Sequence, residues 1–203
     1  MEKPSLSTYK AYADKLLETT ARYGKYAAEA LQEFNAAQER LGLSAVIDLE
    51  KLIQPEARAL AKHKLADLEK IVEAYKKIYE KYIISISKEL LAATALLPES
   101  ERASERESLA TKIQEQIDEQ SRFYSVRARW IEAACNLSAL VESYEGSIFV
   151  EDGELVCSDD NALEDISSAF EVIDTCALVE SEIIRARVAR MASGLGFLGV
   201  KLA

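Results

Sequence analysis

Residues 130–184 read WIEAACNLSALVESYEGSIFVEDGELVCSDDNALEDISSAFEVIDTCALVESEII, and this stretch decides the fold. Both of its ends carry apolar residues at helical spacing. Its middle breaks that pattern. Ile148-Phe149-Val150, Glu151-Asp152-Gly153-Glu154 and Leu155-Val156-Cys157 make two short β-type runs around Asp-Gly, the pair favoured in a type I′ turn. The reading is therefore helix, hairpin, helix. The stretch holds 14 Asp and Glu and neither Lys nor Arg. Residues 1–129 balance at 21 basic and 21 acidic groups, and residues 185–203 carry four basic groups and no acid. The whole net charge of −10 arises in this one segment.

Upstream, three helical segments precede it. Tyr9, Ala13, Leu16, Thr20, Tyr23, Ala27, Ala30, Phe34, Ala37 and Leu41 recur at spacings of three and four, which predicts a first helix over 7–41. Ser7 is its expected N-cap and Gly42 its expected stop. Residues 44–53 read as a short linking helix, and Pro55 stands where a new helix begins. That helix runs to about Leu97 on a seam of Leu65, Leu68, Val72, Tyr75, Tyr79, Tyr82 and Ile86. The β-branched run 82–87 stays helical in this reading because its surroundings are helical. Pro98 ends it, Ser100 is placed to cap the next, and a third long helix covers about 101–145. Its first half bears only a thin stripe of Leu109, Ile113, Ile117 and Tyr124, while Trp130 to Val141 present a broader apolar face.

Downstream of the hairpin, Asn161 followed by Glu164 resembles a capping box. The last helix then runs to about Ser193, with Arg185, Arg187 and Arg190 near its C-terminus, where they complement the helix dipole. An apolar, glycine-punctuated tail occupies 194–203. Four long amphipathic helices joined by short connections predict an all-α, elongated, antiparallel up-down four-helix bundle. It has a short linking helix and a hairpin insertion at 147–158, and residues 1–203 are read as a single domain. An isolated two-stranded hairpin is marginal in water, so this one must lean on the helices or on a partner.

Composition narrows the function classes. A chain with pI near 4.8 is poorly suited to direct nucleic-acid binding, because phosphate contacts need Lys and Arg. Three cysteines without CxxC spacing point to reduced thiols in a cytoplasmic setting. The N-terminus shows no secretory h-region, which leaves signal-free export as the alternative route. No window has the ~18 uninterrupted apolar residues of a membrane span.

Catalytic chemistry finds few footholds. A carboxylate-bridged di-iron bundle needs Glu-x-x-His on two helices. His63 is the sole histidine, with Leu60 three residues before it, and it reads as a surface residue facing Asp67. Zinc ligation lacks any ligand pair at the usual spacing. Cys135, Cys157 and Cys176 lie in the base-free stretch, which raises rather than lowers a thiol pKa, so they read as small buried hydrophobes. Asp159, Asp160, Asn161, Glu164 and Asp165 do not match an EF-hand loop. No phosphate-cradling glycine loop and no Ser/His/Asp set is present. The sequence calls for no cofactor.

One acidic pattern is sharper. Glu142-x-x-Glu145 and, after the hairpin, Glu171-x-x-Asp174 are paired at i, i+3 and could hold Mg²⁺ through oxygen ligands. Over these four residues the arrangement resembles the all-helical nucleotide pyrophosphatases of the MazG type. That resemblance implies a Mg²⁺-dependent enzyme as one alternative.

What remains is surface. The hairpin sets Ile148, Phe149 and Val150 in an apolar row, and free strand edges accept partner strands. The expected function is a non-enzymatic protein-interaction module of the adaptor, inhibitor, immunity or chaperone kind, docking a protein with a basic surface. The candidate partner-binding residues are Ile148, Phe149, Val150, Glu151, Asp152, Glu154 and Leu155, with Phe197 and Leu198 of the tail. A membrane-active helical toxin component is the other alternative, its candidate segments being Tyr82–Leu97, the hairpin and the tail. The long apolar seams suit a second copy of the chain as well as each other, so a homo-oligomer is a further partner.

Overall fold

The computed structural model describes residues 6–152 and 154–197, with no side-chain account of Leu6, Thr8 or 190–197. The architecture is all-α with one hairpin. Helices α1 (Leu6–Leu41), α3 (Pro55–Ala93), α4 (Glu99–Ser143) and α5 (Asp160–Phe197) are the four long ones. A 3-10 turn (Leu43–Val46) and the one-turn α2 (Leu49–Leu52) link the first two, and strands β1 (Ile148–Glu151) and β2 (Glu154–Cys157) link the last two. The linking helix expected at 44–53 is thus split, because Asp48 takes extended backbone and caps α2.

The boundary chemistry follows the sequence closely. Gly42 adopts φ +59°, the left-handed conformation that closes a helix at low cost to glycine. Pro55 opens α3, and α3 remains helical through 82–87. Ser100 and Asn161 are not the caps. Helix α4 already begins at Glu99, so Ser100 lies inside its first turn. Helix α5 is capped by Asp159, whose Oδ1 accepts from the backbone N–H of Asn161 (2.8 Å) and Ala162 (3.2 Å). At its far end α5 continues past Ser193 to Phe197, four residues into the stretch read as a tail.

The contacts divide the chain into two compact units, and α3 and α4 each contribute to both. The first gathers α1 with residues 71–121. Phe34 stacks on Tyr75 with ring centroids 4.4 Å apart, and Tyr23 meets Tyr82 edge-on at 5.7 Å, so α1 and α3 run antiparallel here. Tyr12, Ala93, Leu97 and Leu16 close an apolar cluster. Tyrosine hydroxyls stitch the helices together. Tyr12 donates to Glu105 and Tyr23 to Glu89, both at 2.8 Å, and Tyr9 donates to Glu101. The α1 seam differs from the expected one near its start: Tyr12 and Thr19 are buried, whereas Tyr9, Ala13 and Thr20 are exposed. Spacings of three and four admit more than one stripe on a helix of 3.6 residues per turn, and packing selects the one through Tyr12, Leu16 and Thr19.

The second unit comprises 41–70 and the chain from Arg122 onward. Val46, Leu52, Leu65, Leu68, Leu137, Val141 and Ile173 are its fully buried aliphatic side chains. Each such aliphatic contributes about 1.5–3 kcal/mol by leaving water. Lys62 to Glu142 (2.7 Å) with Arg58 to Glu145 (3.6 Å) sets α3 antiparallel to α4, and Tyr144 to Asp165 (2.7 Å) with Arg127 to Glu180 (2.7 Å) sets α4 antiparallel to α5.

Candidate docking surface

The hairpin occupies one end of the second unit. Ser147 N–H bonds the Tyr144 carbonyl at 3.0 Å with Gly146 at φ +92°, the type II geometry that requires a positive φ at its third residue. This turn carries the chain from α4 into β1. The ladder pairs Ile148 with Cys157, Phe149 with Val156, Val150 with Leu155 and Glu151 with Glu154. A two-residue loop is left between Glu151 and Glu154. Asp152 takes φ +53°, as the first central residue of a type I′ turn must; Gly153 lies outside the described residues. Ser158 N–H to the Ser147 carbonyl (2.9 Å) extends the ladder at the base, and β2 touches α5.

Burial falls along β1. Ile148 is 7% exposed and belongs to the core, which corrects its expected place in an exposed apolar row. The base of the hairpin needs one side chain to anchor it on the helices, and Ile148 supplies it. Phe149 and Val150 are 37% and 48% exposed. Leu155 is half-buried, and Glu151, Asp152 and Glu154 are exposed. Phe197 contributes only the last backbone position of α5, and Leu198 lies outside the described residues, as does the tail beyond it.

The carboxylates of this end fall into two groups. Glu142 and Glu145 face α3, where Lys62 holds the first at 2.7 Å and Arg58 meets the second at 3.6 Å. The hydrogen bond from Lys62 holds the Glu142 carboxyl below its usual range. Glu151, Asp152 and Glu154 have no ion-pair partner among the described residues. Asp165 is engaged by the Tyr144 hydroxyl, whose own pKa that bond raises. Behind them a cavity of about 450 Å³ opens between α4 and α5, with Leu140 and Asp165 at the hairpin side.

The two acidic pairs do not converge. The α4–α5 register sets Glu142 and Glu145 level with about residues 163–166 of α5, roughly 8 Å or more along the axis from Glu171 and Asp174. No group of three or more His, Cys, Asp or Glu among the described residues is placed to hold a metal ion. Cys176 is buried and Cys157 half-buried, but Cys135 is exposed on α4, contrary to the expected burial. Burial pushes the Cys176 thiol above its ordinary pKa, and partial desolvation with the nearby Glu69 charge does the same for Cys135. His63 is exposed as expected, although Asp67 pairs with Lys70 at 2.8 Å. Among the described residues, no helix is long and apolar enough to cross a membrane.

Sequence reasoning missed two buried cations and a buried anion. Arg58 is 5% exposed and Glu180 7%. Arg127 bonds Glu180 at 2.7 Å with its side chain only 14% exposed. No protein-family model matches the chain, and no curated protein or solved structure is significantly similar to it.

Proposed function

We propose that the chain is a non-enzymatic interaction module that docks a basic protein surface through the hairpin-bearing end of its second unit. The observation that carries this reading is the hairpin tip. Two apolar side chains, Phe149 and Val150, stand exposed beside three carboxylates that no cation neutralises among the described residues. An apolar centre with a charged rim is the usual anatomy of a docking patch. The rim steers an oppositely charged partner and makes association salt-sensitive, since charges are screened beyond ~8 Å at physiological ionic strength. The inner carboxylates, Glu142 and Glu145, are already paired with α3, whereas those of the tip are not.

The test is capture of partners from the native host by the wild-type chain and by a Phe149→Ser/Glu151→Lys/Glu154→Lys variant, at low and at high salt. A basic protein retained by the wild type, released at high salt and missed by the variant supports the reading. Equal retention by both chains, or retention indifferent to salt, counts against it.

A further inference from the structure

The opposite end of the second unit, about 24 Å along α4 from the hairpin, holds a cavity of about 410 Å³. It forms where the two ends of the base-free stretch meet: Arg127 and Trp130 on α4, Glu180 and Arg185 on α5. Arg127 and Glu180 share one hydrogen bond, Nη2 to Oε2 at 2.7 Å, and their side chains are 14% and 9% exposed. A guanidinium and a carboxylate normally make two parallel bonds. Here the second is missing: Arg127 Nε and Glu180 Oε1 are sealed from solvent with no hydrogen-bond partner. Unspent polar capacity of this kind is costly in a structural ion pair. Each such group in a folded protein calls for an explanation, and here a cavity opens beside the pair.

The rest of the lining states the ligand's chemistry. Trp130 lies beneath the Arg127 guanidinium, 5.9 Å from ring centroid to Cζ, and Leu43, Ile47 and Ile184 add apolar wall. Arg185 sits at the rim, exposed, reaching the Ser181 carbonyl (3.4 Å) and hydroxyl (3.2 Å), with no carboxylate paired to it among the described residues. Two guanidinia therefore face one carboxylate, a positive surplus within helices otherwise rich in acids. We propose that this cavity binds a small amphipathic monoanion, a carboxylate carried on a compact apolar body. The body packs on Trp130, Ile47 and Ile184, and the carboxylate meets Arg185 with Arg127 as the second donor. Burial also pushes the Glu180 carboxyl above its usual range, against the pull of Arg127. The proposal is independent of the docking role of the hairpin.

Trp130 is the sole tryptophan, so its fluorescence reports on this cavity alone. The full chain is titrated with adamantane-1-carboxylate, and with the alcohol and the primary amine of the same body, none of which absorbs where tryptophan does. A saturable change with the carboxylate is expected, at least about tenfold weaker binding of the alcohol, and none of the amine. Arg185→Gln, an exposed substitution, should bring the carboxylate down to the level of the alcohol without changing the melting temperature, and Arg185→Lys should restore most of the difference. No saturable response, equal affinity for carboxylate and alcohol, or an Arg185→Gln chain that binds the carboxylate as before would each overturn the proposal.

Discussion

Arg58 Nη1 lies 3.1 Å from the Leu52 carbonyl oxygen and 3.0 Å from that of Ile53, so a side chain in the first turn of α3 closes the end of α2. Those carbonyls would otherwise face a dry interior, since Leu52 is fully buried and Arg58 is 5% exposed. An unsatisfied buried acceptor costs about 1–3 kcal/mol. Arg58→Met keeps much of the apolar stem but abandons both carbonyls, and should lower unfolding stability by that amount in a urea titration. Glu145, at 3.6 Å and largely exposed, adds little, so Glu145→Gln should leave the midpoint nearly unchanged.

Tyr12 ties stability to alkaline pH. Burial, its bond to Glu105 and the charge of that carboxylate all hold its hydroxyl above the ordinary phenol range. Burial does the same for Tyr82. An unfolded phenol loses its proton near pH ~10, whereas the folded one still holds it there. The folded state then binds more protons than the unfolded state, so stability is intact below about pH 10 and falls as pH rises above it. Urea midpoints between neutral and strongly alkaline pH, read beside tyrosinate absorbance, should show this decline. Tyr12→Phe should cost about 1 kcal/mol at neutral pH and flatten the decline; an unaltered pH slope in that variant would remove Tyr12 from the account.

The buried charges explain what the sequence showed and what it concealed. The hairpin was legible because Asp-Gly between two short apolar runs has one common backbone solution, and Asp152 adopts its positive φ. The long helices were legible because their seams repeat: Leu65, Leu68, Val72 and Ile86 are buried as the period requires. Yet the same periodicity marked the hidden site. Ile166, Ala169, Ile173, Cys176, Glu180 and Ile183 form one buried stripe, and Glu180 is an acid in the middle of it. Arg58 likewise falls in phase with Ala61, Leu65 and Leu68. A charged residue on an apolar stripe is a readable signal, but its partner is not, because Arg127 and Glu180 are brought together only by the antiparallel register of α4 and α5. That register is also what separates Glu142 and Glu145 from Glu171 and Asp174, whose spacing looked like a shared metal site.

The Arg127–Glu180 pair should behave as a coupled unit. Removing one member leaves the other charged and buried, at a cost of about 3–5 kcal/mol, whereas replacing both with apolar residues of similar volume is often neutral or stabilising. Arg127→Met and Glu180→Leu should each destabilise strongly, and the double variant should recover most of the loss. Additive losses would mean that the two side chains act independently. The pH sign follows from Glu180, whose carboxyl burial pushes upward despite Arg127. Its contribution to stability is greatest below the unfolded carboxyl value near pH ~4.3 and declines as pH rises through the folded one, a dependence the double variant should lose.

The two units should also differ in how they open. The fully buried aliphatic side chains Leu52, Leu65, Leu68, Leu137, Ile173, Val46 and Val141 all lie in the second unit, while the first unit contributes Thr19 to the fully buried set. The first unit relies more on exposed or half-exposed tyrosine–carboxylate bonds, which solvent competes for. Amide hydrogen exchange should therefore protect 62–70 and 130–141 longest and release α1 first. Leu137→Ala, a cavity of one leucine in the second unit, should cost about 2–5 kcal/mol and shorten that protection.

Asp152 separates shape from charge at the proposed docking tip. Its φ of +53° is tolerable for Asp, Asn or Gly, but a β-branched residue there costs about 1–2 kcal/mol in backbone strain. The hairpin has only four residue pairs to resist that strain. Asp152→Asn should keep the nuclear Overhauser contacts between Phe149 and Val156 while removing one carboxylate, so partner binding should weaken modestly and lose part of its salt dependence. Asp152→Val should weaken or abolish those cross-strand contacts and lose binding at every salt concentration, because Phe149 and Val150 are no longer held side by side with the carboxylates. An Asp152→Val chain that binds as the wild type does would show that the partner reads neither the turn nor the strand pairing, and the docking surface would have to be sought elsewhere on the second unit.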